Sequence, residues 1–288
     1  MDEQPPTHPE TAPPESSQID TVPVEFTLTV GEGQISVTAV VPAGQTNLTQ
    51  ILPVLQALDD SLIATVASAT AEVGHPISCK AGCGACCRQL VPISIFEAEA
   101  LALWIRSLPE STQQELAERF HQTLLKLSAA GLIDRLVQMS KEDWRDESEL
   151  NQRMGLDYLY QRVPCPFLVD ESCSIHPIRP LICREYLVSS PPANCFDPGT
   201  LKVAPVHLPV KLFPTLNQIG AELEHDTRGW IPLVFLFAWM KTNSHPGQFI
   251  SGTGPEVLYK FLSRICPSDG NLESPEESPT PEDEKTDS

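Results

Sequence analysis

The chain of 288 residues is short of positive charge, with 19 Lys and Arg against 38 Asp and Glu and a formal net charge of −19. Phosphate binding needs basic side chains to displace counterions, so neither nucleic acid nor anionic lipid is an expected partner. Long apolar runs are missing as well. The most apolar stretch, Trp230 to Met240, falls well short of the roughly 20 residues that a membrane-crossing helix needs. It reads as a buried helix with Pro232 in the first turn, and no membrane span is expected. Residues 1–20 lack the basic start and apolar stretch of a secretory signal, so the expected location is cytoplasmic. Several catalytic signatures are absent too: no phosphate-cradling glycine loop, no dinucleotide fingerprint, no His-Glu-x-x-His helix and no Gly-x-Ser-x-Gly elbow.

Proline, by contrast, is plentiful at 28 residues, many of them near the two ends. Residues 1–20 and 267–288 are rich in Pro, Glu, Ser and Thr and lack aromatics. Such segments bury too little apolar area to offset the entropy of ordering, and both are expected to be disordered. The acidic tail is read as solubilising, with docking to a basic protein partner as the sharper alternative. Between the ends the expected organisation is a β-hairpin plus helix over 21–75, a cysteine-bearing metal domain over 76–200, and a helical extension of the same body over 201–266.

The hairpin follows from strict alternation. Val22, Val24, Phe26, Leu28 and Val30 share one face, a turn lies at Gly31 to Gln34, and Ile35, Val37, Ala39 and Val41 repeat the pattern. Asn47 and Gln50 form a capping pair before a helix carrying Leu48, Ile51, Leu52, Leu55, Leu58, Leu62 and Val66, with Pro53 forcing a kink or a later start. Asp59 and Asp60 fall between these positions and read as a solvated face. Ser94 with Glu97 opens a helix through Arg106, and Pro109 starts another to Ala130. Further helices are expected at 133–140, 142–161, 215–224, 231–242 and 255–264, with extended pieces at 203–210. The predicted fold class is α+β, mostly α-helical, with the helices around a loop-rich cysteine core.

Nine cysteines carry the chemistry. Cys79, Cys83, Cys86 and Cys87 lie within nine residues, where Gly82 and Gly84 favour a tight loop. Cys165, Cys173, Cys183 and Cys195 form a second group, stiffened by Pro164, Pro166, Pro177 and Pro180. In a reducing compartment thiols serve metal or redox chemistry rather than disulfides. Thiolate is a soft ligand that selects zinc, copper(I) and iron–sulfur centres. The eight could supply one four-cysteine site with spares, two such sites, or one larger cluster. Neighbouring Cys86 and Cys87 do not easily reach one tetrahedral ion together. Four thiolates on Zn2+, or on a [4Fe–4S] cluster in its 2+ state, leave a net charge of −2. Arg88, Arg179 and Arg184 stand beside or between the cysteines and are expected to compensate it. His75 and His176 lie near thiols but are not needed as ligands. His8, His121, His207, His225 and His245 read as scattered structural or surface residues, and Cys266 as a separate thiol.

The order Cys79-x3-Cys83-x2-Cys86-Cys87, then Cys165-Pro166-Phe167-Leu168, Cys173-Ser174-Ile175-His176, Arg179-Pro180, Cys183-Arg184 and Cys195 resembles the YkgJ-type cysteine-cluster family over about residues 78–196. His176 stands where that family usually has tyrosine. The resemblance implies a bacterial-type protein chelating zinc or iron, with metal as its partner. A likeness of that family to flagellin lysine N-methylase tilts the expected cofactor to an iron–sulfur cluster, [4Fe–4S], over Zn2+. The functional expectation is therefore an iron–sulfur protein with a redox or enzyme-supporting role. The alternatives are a structural zinc module that docks a protein partner and an enzyme related to protein lysine N-methylation, for which no methyl-donor loop is recognisable.

Overall fold

The computed structural model describes residues 20–30, 33–141, 149–223, 229–243 and 251–265. The two segments expected to be disordered, bar Asp20 and the residues just named, lie outside it, as do the turn at Gly31-Glu32, Cys266, His8, His225 and His245. The fold is α+β and mostly helical.

Strands β1 (Thr21–Val30) and β2 (Gly33–Pro42) pair antiparallel in a register from Thr21↔Pro42 to Val30↔Gly33. Alternation sets the faces: Phe26, Leu28 and Val41 are buried, whereas Glu25 and Thr38 are exposed. After β3 (Gln45–Asn47), Asn47 and Gln50 make the reciprocal pair of a capping box. Gln50 N–H donates to Asn47 Oδ1 at 3.0 Å and Asn47 N–H donates to Gln50 Oε1 at 3.1 Å. The pair closes a turn rather than the helix proper, because Pro53 suits only a first turn, where its missing N–H has no partner to lose. Helix α1 accordingly runs Leu52–Glu72 and buries Leu52, Leu55, Leu58 and Leu62.

One expectation for α1 is overturned. Asp59 is fully buried, with 0 % exposure, and only Asp60 faces outward. The cause lies more than a hundred residues away: Arg184 packs against α1 and pairs with Asp60, and its charge is felt by Asp59.

The irregular segment 76–91 contains a short 3-10 turn, Cys86–Arg88, and leads into β4 (Pro92–Ser94). The capping box of α2 (Ile95–Ser107) is fully formed, with Ser94 Oγ accepting from Glu97 N–H and the Glu97 carboxylate accepting from Ser94 N–H. Pro109 precedes α3 (Glu110–Ala129), followed by α4 (Ile133–Met139) and α5 (Glu149–Tyr160). Residues 142–148 of the helix expected at 142–161 lie outside the described residues. The loop-rich segment then holds the small hairpin β5 (Leu168–Val169) and β6 (Ser172–Cys173), the five-residue α6 (Leu181–Glu185) and a 3-10 turn at Pro192–Phe196. Helix α7 (Phe213–Leu223) follows.

The helix expected at 231–242 is also corrected. Trp230–Pro232 is a strand, β7, paired with β4 through Ser94↔Trp230 and Pro92↔Pro232, and α8 spans only Leu236–Thr242. A non-local partner overrides the apolar run's helical reading here. β8 (Ser251–Thr253) pairs with β3, and α9 (Gly254–Ile265) closes the fold. Gly254 is required there, because a Cβ would stand 2.1 Å from the Pro42 carbonyl oxygen.

Three main apolar clusters result. The first joins the hairpin, α1, Ile95, Phe96, Leu181, α7 and α9. The second joins Ile93, α2 and α3 to Phe167, Ile175, Leu233 and Leu236. The third gathers Leu127, Leu132, Leu136, Met154, Tyr158, Val163 and Val234. Each fully buried large apolar side chain contributes about 1.5–3 kcal/mol, so these clusters hold the cysteine loops between rigid elements.

Candidate metal centre

The two cysteine groups face each other. The main-chain amide of Cys165 donates to the carbonyl of Cys87 at 2.7 Å, and Ser78 N–H donates to Val188 O at 2.9 Å. The approach is tight at Gly84, where a Cβ would lie 2.5 Å from Glu171 Oε2 and 3.0 Å from Leu168 Cδ1. Glu171 comes from the β5–β6 connection, where Asp170 and Glu171 both adopt positive φ, 48° and 59°. That is the backbone of a two-residue hairpin turn usually given to Asn or Gly. Its carboxylate is held by Arg88, whose two guanidinium nitrogens donate at 2.9 and 2.5 Å while one also donates to Gly84 O at 2.7 Å. The same guanidinium lies 5.3 Å over the Phe196 ring. Arg88 thus clamps the first cysteine loop to the second.

Cys79, Cys83 and Cys195 pack with Ala85, Val188 and Tyr186. Val188 N–H points at Cys79 Sγ at 3.4 Å, the sort of amide contact that stabilises a thiolate. Cys165 and Cys173 pack instead on the cluster around Phe167 and Ile175. Cys183 is placed by α6, whose Leu181 N–H donates to the buried Glu97 carboxylate at 2.7 Å. The capping acid of α2 therefore also caps α6. Cys86 sits between the groups: its charge raises the pKa of Cys79, Cys87, Cys165, Cys173, Cys183 and Cys195.

Burial dominates the thiol electrostatics. It pushes Cys165 up to about 12 and Cys195 up to about 11, with neighbouring thiols adding to each, and it raises Cys79, Cys173 and Cys183 in the same direction. The exception is Cys86, held down to about 7 chiefly by a hydrogen bond from the Cys87 thiol, which is correspondingly raised. A cation is what such a set needs before all its members can ionise.

The three arginines divide. Arg179 is the one whose charge acts on Cys86 and Cys173. Arg88 serves Glu171 and Gly84. Arg184, only 2 % exposed, turns to Asp60 Oδ1 at 2.6 Å, to Arg179 O at 3.1 Å and to Pro177 O. Arg179 Nη1 lies 2.7 Å from His176 Nε2, within hydrogen-bond distance, and burial with the two arginine charges lowers the His176 pKa. His75 is exposed. Neither histidine is packed among the thiols.

All eight cysteines of the two groups are free thiols. As placed, no three Cys, His, Asp or Glu side chains among the described residues close on a single point as an ion requires. The set fits a soft metal in kind, by its sulfur donors, its amide contact and its nearby guanidinium. Gly84, Glu171 and Val188 support the thiols yet carry no motif of their own, whereas Glu97 belongs to the Ser94–Glu97 capping box. Of these, Gly84, inside the cysteine run, and Glu97, in its capping box, have a signal in the sequence.

No curated protein and no solved structure matches the chain. Residues 78–199 match the family model CxxCxxCC, described as "Putative zinc- or iron-chelating domain". The match takes in every thiol of both groups and stops short of the hairpin, α7 and α9. The part of this chain that carries the eight cysteines is therefore similar to the CxxCxxCC domain, which supports metal binding in general.

Proposed function

We propose that the protein holds an iron–sulfur cluster, of the [4Fe–4S] type, on thiolates drawn from Cys79, Cys83, Cys86, Cys87, Cys165, Cys173, Cys183 and Cys195. The observation that carries this reading is the meeting of two free-thiol groups from distant parts of the chain, with Cys86 within charge range of six others. Iron–sulfur is preferred to zinc because the donor set is sulfur alone, in a proline-stiffened loop, with His75 and His176 outside it.

When bound, such a cluster supplies one-electron chemistry tuned by burial and by hydrogen bonds to its sulfurs. The residues of the chain do the rest. Val188 N–H orients Cys79, the carbonyl of Cys87 fixes Cys165, and Glu97 fixes the helix that carries Cys183. Arg179 offsets thiolate charge. The hydrogen bond from Cys87 favours the thiolate form of Cys86, the form that binds a metal. The role is redox or enzyme-supporting, in the cytoplasm, with a protein rather than a nucleic acid as partner. Residues 76–200 act as the metal domain, and the flanking elements as its frame.

Protein purified without oxygen should be brown, with broad visible absorbance and acid-labile sulfide matching its iron. A colourless protein holding stoichiometric zinc would replace this reading with a structural zinc module.

A further inference from the structure

The Arg88 guanidinium touches three stretches that carry thiols. It donates to Gly84 O at 2.7 Å inside the first run and to the two Glu171 oxygens at 2.9 and 2.5 Å, between Cys165 and Cys173. It also lies 5.3 Å over the ring of Phe196, the neighbour of Cys195. These contacts fall where two loops meet solvent. Lys80, Ala81 and Gly82 are exposed on one loop, and Val169, Asp170, Glu171 and Ser172 on the other. The loops close on each other there, since a Cβ on Gly82 would stand 3.9 Å from Ser172 Oγ. Cys83, Cys86, Cys87 and Cys173, which flank them in sequence, are half-buried. Away from this seam, Cys165 and Cys173 have the apolar cluster of Phe167 and Ile175 at their backs.

The pair that ties the seam is ill suited to stabilising the fold. Glu171 is 53 % exposed, and exposed ion pairs add little to stability. Asp170 and Glu171 moreover hold left-handed backbone, φ 48° and 59°, which residues with side chains seldom take. Because Val169 to Ser172 are exposed, this tip can part from Gly84 without opening an apolar cluster.

We infer that the seam between residues 80–84 and 169–172 is the route by which a thiophilic metal ion reaches and leaves the cysteines, and that the Arg88–Glu171 pair is the bar across it. The inference rests on the metal-binding reading above and adds the route and its control. Such a bar changes the barrier to passage and not the two end states. It therefore slows uptake and release by the same factor and leaves affinity alone.

Cadmium ion exchange on the reduced full-length chain tests this, with uptake followed by stopped flow and release followed in excess EDTA. Glu171→Gln keeps the shape and removes the charge. Both rates should rise together by about two- to fivefold, the factor that an exposed pair is worth. Charge alone predicts slower uptake, since a lost carboxylate weakens the pull on an approaching cation. Faster release without faster uptake would make the pair a brace for the loaded site and overturn the bar, as would two unchanged rates. Arg88→Lys keeps the cation, loses the fork and should show the same paired rise, so it decides if Glu171→Gln fails to fold. No cadmium uptake by folded wild-type protein would instead overturn metal binding itself, and this inference with it.

Discussion

The buried Glu185 carboxylate on α6, the helix that carries Cys183, lies within charge range of the buried Asp59 carboxylate on α1. Both Asp59 oxygens lack a hydrogen-bond partner, as does Glu185 Oε2, while Glu185 Oε1 accepts from Leu212 and Phe213 N–H at 2.6 and 2.9 Å. Burial raises Asp59 to about 7 against the Arg184 charge, and burial with the Asp59 charge raises Glu185 to about 8.

The pH dependence follows from those directions. The folded state holds a proton on Asp59 that the unfolded chain releases near pH 4. Its contribution to stability is complete below that pH and is lost as pH rises through about 7. Glu185 extends the decline to about pH 8. Denaturant melts of wild type should weaken between pH 5 and pH 8. Asp59→Asn should flatten much of that slope and gain relative to wild type at pH 8, by up to about 4 kcal/mol for a shift of about three pH units. An unchanged slope would mean that Asp59 ionises freely.

Glu97 caps two helices at once, so its loss reaches the cysteines. Glu97→Ala removes acceptors from Ser94 N–H and Leu181 N–H, both buried. We expect a destabilisation of about 2–4 kcal/mol from a lost cap and stranded amides. Hydrogen exchange should speed up at α6 as well as at the start of α2. An effect confined to α2 would show that α6 is held by other means.

Gly84 permits the approach of the two cysteine loops. Gly84→Ala sets a Cβ 3.2 Å from the Glu171 carbonyl oxygen and nearer still to the Glu171 and Leu168 side chains. Overpacking of this sort costs about 1–3 kcal/mol. A lowered Tm together with weaker metal retention against a chelator is expected. A lowered Tm with unchanged retention would place the strain outside the centre.

Metal removal should loosen the loops before the frame. Chelation of anaerobic protein should expose thiols in 79–87 and 165–195 to alkylation, while the hairpin and α9, packed in their own apolar cluster, keep their protection from exchange. Uniform loss of protection would show that the frame depends on the metal.

Much of this was readable in the sequence because it is local. Alternation from Val22 to Val41 gave the hairpin, and the Ser94–Glu97 spacing gave the α2 cap. The spacing of the thiols marked the domain. What escaped notice is set by partners far along the chain. Asp59 looks like half of a solvated Asp-Asp step until Arg184, 125 positions later, is laid against it. Trp230 to Pro232 reads as helix until β4 supplies a strand partner. Arg184 follows a cysteine and reads as a partner for thiolate charge, yet its guanidinium pairs with Asp60 and two carbonyls. Arg179, placed between two cysteines, carries a charge felt by Cys86 and Cys173, and Arg88 feels that of Cys87.

The pairing of β3 with β8 has a consequence for synthesis. A ribosome makes both cysteine groups well before Ser251 emerges, so β3 gains its strand partner only late in synthesis. A nascent chain therefore presents both cysteine groups before β8 and α9 complete the first apolar cluster.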